Sequence, residues 1–191
     1  IGNTSFETVK TEKDIFDLFQ SQFPDAIELM PNLVKDFQNN PTGDLASVYC
    51  KPWHFGDKAL LIGDAAHAVV PFFGQGMNAS FQDCSTLEKL MDQNKNNWET
   101  IFNAFSSTQV KNGHAIADMA LENYLEMRDH VNDPEYKKRR DMELKLERMF
   151  PGQFIPRYSM VSFHQIPYAE VYKRGEKQFK IISDVLKADP S

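Results

Sequence analysis

Apolar residues recur at helical spacing along most of the chain. Ile15, Phe19 and Phe23 lie four residues apart, which predicts a helix over 12–23 that Pro24 ends. Residues 154–163, FIPRYSMVSF, lack a clear period and are predicted to form an extended connector. The same helical spacing predicts further helices over 27–38, 77–91, 98–131, 134–150 and 168–186.

Two short apolar runs, 45–51 and 58–62, are the best strand candidates. The second run, KALLI, is apolar on both faces, which is typical of a strand buried in a parallel sheet. It leads directly into Gly63 and Asp64, and a helical pattern follows. The pattern therefore predicts an α/β fold, in which a strand-turn-helix unit precedes a mainly helical region.

The composition is that of a globular protein, with 191 residues, 41% hydrophobic and 25% charged. A net charge of -6 argues against a nucleic-acid partner, which requires an excess of Lys and Arg. Two cysteines are too few for a disulfide framework and suit a reducing compartment. His54 and His67 show no metal-ligand spacing, so we expect no metal site and a structural role for His67. The basic run 137–140 is followed by acidic residues, which predicts a solvated helix face rather than a lipid-binding one.

Residues 59–81, ALLIGDAAHAVVPFFGQGMNASF, contain the pattern that indicates chemistry. Asp64 follows the predicted strand, where an acidic side chain commonly accepts hydrogen bonds from cofactor hydroxyls. Gly74 and Gly76 give the next loop conformational freedom immediately before a helix, and a helix amino terminus favours negative charge. The aromatic residues ahead of that helix would form a flat apolar wall. Together these features fit a planar, hydroxyl-bearing cofactor that gains negative charge on reduction, which is a flavin.

The run GDAAHAVVPFFGQGMNASFQD resembles the FAD-dependent aromatic hydroxylases, and among them the kynurenine-hydroxylating branch. ENYLEMRDHVN at 122–132 and FIPRYSMVSFHQIPY at 154–168 are also similar to that branch, so the resemblance covers residues 53–172. These hydroxylases carry a Rossmann-type Gly-x-Gly-x-x-Gly motif near the amino terminus, which this chain lacks. The resemblance therefore implies the carboxyl-terminal portion of a Rossmann-like FAD-binding hydroxylase, with the amino-terminal half of the same enzyme as its partner.

The resemblance also implies roles for individual residues. Asp64 would hold the ribityl chain, while Gly76, Met77 and Asn78 would offer main-chain donors to the flavin ring. Asn123 and Tyr158 would contact the substrate, although periodicity alone favours a buried amide satisfied by backbone for Asn123 and an ordinary half-buried tyrosine for Tyr158. No side chain is expected to act as a general acid or base. The residues expected to line the pocket are Pro71, Phe72, Gly74 and Met127.

The predicted function is hydroxylation of L-kynurenine with bound FAD, NADPH and O2. In the predicted domain organisation, residues 1–52 would end a substrate-side sheet domain and return to the FAD domain, 53–95 would form the flavin box and its helix, and 96–191 would line the substrate pocket. The resemblance further implies the cytosolic face of the mitochondrial outer membrane, reached through a segment that this chain does not contain. Two alternatives stay open: another aromatic or polyene hydroxylase, and a non-catalytic helical interaction module that retains the box.

Overall fold

The computed structural model describes residues 4–95, 97–130 and 132–188, without the side chain of His130. Contacts divide the chain into two compact units, Ile1–Leu45 and Ala46–Ser191. The three functional segments expected from the sequence remain a prediction. None of the helices in the described part combines the length and the apolar character that a bilayer crossing requires.

The first unit is built from two helices around a small core. Helix α1 (Glu12–Gln22) begins at a capping box, in which Thr11 accepts from the Asp14 amide and Asp14 accepts from the Thr11 amide. A 3-10 turn (Pro24–Leu29) and helix α2 (Leu33–Asn39) follow. The predicted helix over 12–23 is confirmed, whereas the predicted helix over 27–38 is divided. Pro31 explains the division, because proline disfavours a helical conformation at the preceding residue, Met30.

The second unit is mainly helical, and its elements follow one another in chain order. The predicted helices over 77–91, 134–150 and 168–186 are confirmed, and the one over 98–131 ends in a π-helical turn. The elements are β1 (His54–Phe55), β2 (Ala59–Leu60), α3 (Asp64–His67), a 3-10 turn (Pro71–Phe73), α4 (Gly76–Asn94), α5 (Trp98–Leu125), the π turn (Glu126–His130), α6 (Pro134–Met149), α7 (Arg157–Phe163) and α8 (Tyr168–Ala188).

The sheet is much smaller than the sequence pattern predicts. Strand β2 pairs antiparallel with β1, with His54 opposite Leu60 and Phe55 opposite Ala59. Leu61 and Ile62 are 42% and 41% exposed, so the buried parallel strand over 58–62 is wrong for this structure. Residues 45–51 form no strand either. A strand that is apolar on both faces needs neighbouring strands, and the described residues supply none beyond β1 and β2.

Helix α5 lies at the centre of the second unit. Gly113 allows it to approach the fully buried Trp53, because a Cβ at that position would lie 2.7 Å from Trp53 Cη2. Trp53 stacks on His67 of α3 with 5.1 Å between ring centroids. Further along, α5 contributes Met119 to a cluster that contains Val171 of α8. The flavin box is thus held against the same helix that packs on the last helix.

Residues 157–163 form helix α7, so the extended connector predicted over 154–163 is wrong. Pro156 precedes the helix, where its fixed φ suits a helix start. Met160 and Val161 are 1% and 5% exposed, because they pack into the cluster around α5 and α8. A helix of seven residues spans two turns, which is too short for its periodicity to stand out in the sequence.

Candidate functional site

A cavity of about 500 Å³ brings together most of the residues that the sequence assigns to the flavin. Asp64 at the start of α3 lines it with an exposed carboxylate that has no partner among the described residues. Helix α4 contributes residues of its first turns to the same lining. The residues around this cavity, here called the flavin cavity, are Asp64, Val69, Pro71, Gly74, Gly76, Met77 and Ser80.

The amino terminus of α4 is open to an acceptor. No side chain caps the helix, and its first turn carries no acidic residue. The amides of Gly76, Met77 and Asn78 belong to this first turn, where amides lack partners within the helix. The Asn78 side chain donates to Gln75 Oε1 at 3.0 Å, so its main-chain amide is the group that fits the expected role. Uncapped donors and the helix dipole together favour negative charge here.

These features fit an FAD isoalloxazine and ribityl group. The cavity volume lies within the ~300 to 1,000 Å³ usual for ligand sites. A carboxylate that accepts from hydroxyls and amides that donate to a ring are both present on its lining, with Val69 and Pro71 as apolar wall. Gly74 adopts a left-handed conformation, with φ of 64°, that lets the loop turn toward α4.

A second cavity, of about 410 Å³, contains the predicted substrate residues and is called here the substrate cavity. Asn123 and Tyr158 line it, together with Phe72 and Met127, two of the residues that the sequence predicted to line the pocket. Met127 belongs to the π turn after α5 and is 58% exposed. The predicted residues therefore divide between two neighbouring cavities rather than surrounding one.

The 3-10 turn over Pro71–Phe73 forms the wall between the cavities. Pro71 lines the flavin cavity, whereas Phe72 and Phe73 line the substrate cavity. The Phe73 ring stacks on Tyr158 with 5.6 Å between centroids. Asn123 Nδ2 donates to the carbonyl oxygen of Phe72 at 2.8 Å. The amide donor of Asn123 is thus satisfied by backbone, as periodicity alone suggested, while its Oδ1 accepts no hydrogen bond from the described residues.

The charged side chains of the substrate cavity form pairs. Arg139 donates to Glu126 at 3.2 Å and lies over the Phe179 ring at 4.8 Å from its centroid. Arg157 pairs with Glu122, and Arg140 pairs with Glu143. The Arg139 side chain is only 20% exposed, so the solvated face predicted for 137–140 is wrong at this residue. Its guanidinium packs on an aromatic ring of α8, which no local pattern around 137–140 encodes.

A buried carboxylate beneath the box was not identified from the sequence. Asp83 of α4 is 1% exposed and accepts hydrogen bonds from Gly63 N at 2.9 Å and Gln109 Nε2 at 2.8 Å. Its third partner is His67 Nε2 at 2.7 Å, which agrees with the structural role expected for His67. Because a carboxylate only accepts, Nε2 of His67 donates in this pair. The sequence signal that could have revealed this network is a pair of polar residues, Gln109 and Asn112, on the buried face of α5.

This network continues to the start of α8. Asn112 Nδ2 donates to Gln109 Oε1 at 2.8 Å, and Asn112 Oδ1 accepts from the Ala169 amide at 3.1 Å. A second connection joins the preceding residue, since the Tyr168 hydroxyl donates to Gln75 Oε1 at 3.0 Å. Burial raises the pKa of Tyr168, so its hydroxyl keeps the proton that it donates. The flavin box and its loop are therefore both tied to two consecutive residues of α8.

Comparison with known proteins also indicates FAD binding. A family model described as FAD binding domain matches residues 9–98. A protein of Myxococcus xanthus named kynurenine 3-monooxygenase is 45% identical over 189 residues, which are 99% of this chain and 40% of that protein. Proteins of the same name are 46% identical in Stenotrophomonas maltophilia and 42% identical in Sus scrofa, over 93% and 95% of this chain and 39% of each protein. The chain thus spans about 40% of the length of the curated relatives it matches.

Proposed function

The chain belongs to the kynurenine 3-monooxygenase family, and on that premise we propose that it forms the carboxyl-terminal part of an FAD- and NADPH-dependent hydroxylase of L-kynurenine. The observation that carries the proposal is the pair of cavities separated by the turn Pro71–Phe73. A hydroxylation of this kind needs cofactor and substrate side by side, with water excluded from the space where they meet. The turn contributes apolar residues to both cavities, which supports an arrangement with cofactor and substrate as neighbours.

On the flavin side, the chain contributes binding and charge stabilisation. When bound, FAD would take reducing equivalents from NADPH and activate O2 for insertion into the aromatic ring. Asp64 would accept hydrogen bonds from the ribityl hydroxyls. The amides of Gly76, Met77 and Asn78 would stabilise the negative charge of the reduced ring, aided by the α4 dipole.

On the substrate side, the chain contributes positioning. The Oδ1 of Asn123 is a vacant acceptor for a polar hydrogen of the substrate, and Tyr158 would close the cavity while stacked on Phe73. The cavity also contains three arginines and two glutamates, which pair within the protein and make a polar lining that suits a zwitterionic amino acid better than an apolar polyene. This polarity favours kynurenine over the other hydroxylase substrates that the same flavin box would serve. The side chains named here bind and orient, and none is assigned a proton transfer.

Exposed apolar side chains support a partner segment. They include Phe55 of β1, Ile62 directly before the flavin box and Phe81 of α4, which are 74%, 41% and 63% exposed. Exposed apolar groups in such number are typical of a surface that another part of the protein covers. Because the chain spans about 40% of its relatives, we propose that the amino-terminal half of the enzyme covers these side chains and completes the sheet next to β2.

The test uses the full-length protein that contains this chain. We expect it to purify with the absorption spectrum of bound FAD and to oxidise NADPH faster when L-kynurenine is added, with hydroxylated kynurenine as product. A colourless protein would contradict the flavin assignment and favour a non-catalytic module. A yellow protein that responds to another aromatic compound but not to kynurenine would contradict only the substrate.

Localisation at the mitochondrial outer membrane is the finer part of the proposal. A relative from Sus scrofa is compatible with it, whereas relatives from bacteria show that family membership does not require a mitochondrion. Fractionation of cells that express the full-length protein tests it, and recovery in the soluble fraction would contradict it.

A further inference from the structure

We infer that Asp83 is the positioning residue of the flavin box, because its buried carboxylate holds both ends of the short helix that carries Asp64. The inference rests on the proposed function, since it concerns the residue proposed to hold the ribityl chain. Asp83 itself lies outside the lining of both cavities. It would therefore act on the cofactor through the residues that it positions, above all Asp64.

The geometry centres on one oxygen atom. Asp83 Oδ2 accepts from the Gly63 amide at 2.9 Å and from His67 Nε2 at 2.7 Å. Gly63 is the residue that precedes the four-residue helix α3, and His67 is its last residue. Both ends of α3 are thus fixed to the same atom, and Asp64 is the first residue between them. A helix of one turn has little stability of its own, so such anchors decide its orientation.

The same side chain fixes the distance between the two halves of the flavin site. Asp83 belongs to α4, whose first residues line the flavin cavity together with Asp64. Its second oxygen, Oδ1, accepts from Gln109 of α5 at 2.8 Å, which prevents the carboxylate from rotating. The separation between the Asp64 carboxylate and the Gly76 and Met77 amides is therefore set through Asp83.

An amide could not replace this carboxylate. Three donors converge on Asp83, and only a group that accepts at every oxygen satisfies them all. Asparagine would place an NH2 group against at least one of these donors inside a protein interior. Gly63 packs close to Ser80 of the same helix as Asp83, since a Cβ on Gly63 would lie 3.2 Å from Ser80 Oγ.

The principal experiment is a double-mutant cycle on FAD affinity in the full-length protein, measured by titration of the apoprotein with FAD. We expect Asp64→Ala and Asp83→Asn each to weaken binding by about tenfold or more, because each removes a charge-assisted contact or its alignment. If Asp83 acts through Asp64, the double variant should bind FAD within about threefold of Asp64→Ala alone. Ile182→Ala is the matched control, since Ile182 is buried in α8 away from both cavities and reports what lost stability alone does to binding.

A second pair of variants keeps the inference testable if Asp83→Asn does not fold. His67→Gln retains a side-chain N–H donor toward Asp83, whereas His67→Leu removes it, and both lose the stacking on Trp53. We expect His67→Gln to bind FAD several-fold more tightly than His67→Leu, by more than the difference in apoprotein stability, measured by unfolding, accounts for. Equal FAD affinity of this pair would overturn the inference.

The remaining outcomes separate this inference from the proposed function. Additive effects in the cycle, unchanged affinity in Asp83→Asn, or an equal weakening in Ile182→Ala would overturn the positioning role while FAD binding by Asp64 stands. Unchanged affinity in Asp64→Ala would instead remove the proposed role of Asp64, and the inference would fail with it.

Discussion

At the scale of single residues, adding a side chain would have different effects at Gly74 and at Gly76. Gly74 has φ of 64°, and a Cβ there would meet no other atom within 4 Å, so the cost of a side chain is backbone strain. Gly76 has no such φ, and a Cβ would lie 3.8 Å from Val69 Cγ2, an ordinary contact. The conformational freedom that the sequence suggested for both glycines is needed only at Gly74. At Gly76 the absence of a side chain matters for the flavin cavity alone.

We therefore predict that Gly76→Ala folds with unchanged stability but binds FAD more weakly, because a methyl group would enter the flavin cavity. Gly74→Ala should instead lower the free energy of unfolding by about 1 kcal/mol or more through backbone strain. Urea unfolding of the apoproteins and FAD titration distinguish the two effects. Wild-type FAD affinity in Gly76→Ala would mean that the loop does not approach the cofactor at this residue.

The roles of Asn123 and Tyr158 can be tested separately because their contacts differ. Asn123→Ala removes the hydrogen bond to the Phe72 carbonyl, while Tyr158→Phe keeps the ring stacked on Phe73 and removes only the hydroxyl. We expect both variants to retain FAD and to bind kynurenine about threefold to tenfold more weakly, the effect of one neutral hydrogen bond. More NADPH should then end as hydrogen peroxide, because a poorly placed substrate is not hydroxylated.

The measurement is the ratio of product formed to NADPH consumed, together with kynurenine titrations of both variants. Asn123→Ala should have the larger effect on kynurenine binding, since it also removes the hydrogen bond that holds Phe72 in the wall between the cavities. Wild-type affinity and wild-type coupling in both variants would assign these residues to packing.

At the scale of elements, helix α5 depends on a close approach at Gly113. A Cβ there would lie 2.7 Å from Trp53 Cη2 and 3.0 Å from His67 Cβ, and both partners are fully buried. We predict that Gly113→Ala lowers the free energy of unfolding by ~1 to 3 kcal/mol through overpacking, although alanine favours a helix. Denaturant unfolding followed by circular dichroism measures it. Gly76→Ala is the matched glycine-to-alanine control, and equal stability of the two variants would contradict the packing argument.

At the scale of the whole second unit, α8 joins the two cavities. Its first residues hold the flavin loop through Tyr168 and the box network through the Ala169 amide, while Gln178 and Phe179 line the substrate cavity. A movement of α8 on substrate binding would therefore change the position of the flavin loop. This connection is continuous through hydrogen bonds, so we expect the two proposed binding equilibria to depend on each other.

We predict that Tyr168→Phe weakens FAD binding by up to about tenfold, the effect of one buried hydrogen bond, and reduces the influence of kynurenine on FAD affinity. FAD titrations with and without kynurenine measure both quantities. Tyr172→Phe is the control, because its hydroxyl donates to Glu122 from the same helix but not to the flavin loop. Equal coupling in the two variants would contradict a route through Tyr168.

The sequence by itself determined the features that depend on neighbours along the chain. Apolar spacing of three and four residues predicted α1, α4, α5, α6 and α8, because helical hydrogen bonds and faces are local. Glycines and an acidic residue in one run predicted a flavin site, and Asp64, Gly76 and Met77 of that run line one cavity. A sequence indicates local chemistry wherever the residues that act together belong to one continuous segment.

Only the tertiary structure decided which distant residues meet. Asp83 lies 16 residues from His67 and 26 from Gln109, and no spacing rule connects them. Packing on Phe179 of α8 likewise shields Arg139 from solvent. Burial of Met160 stabilises helix α7, a segment that is too short to show a helical period in the sequence. The run over 58–62 gives the converse case, since its apolar pattern fits a sheet whose further strands are not among the described residues. Burial and strand pairing depend on what the rest of the chain places nearby, and that is decided by the fold.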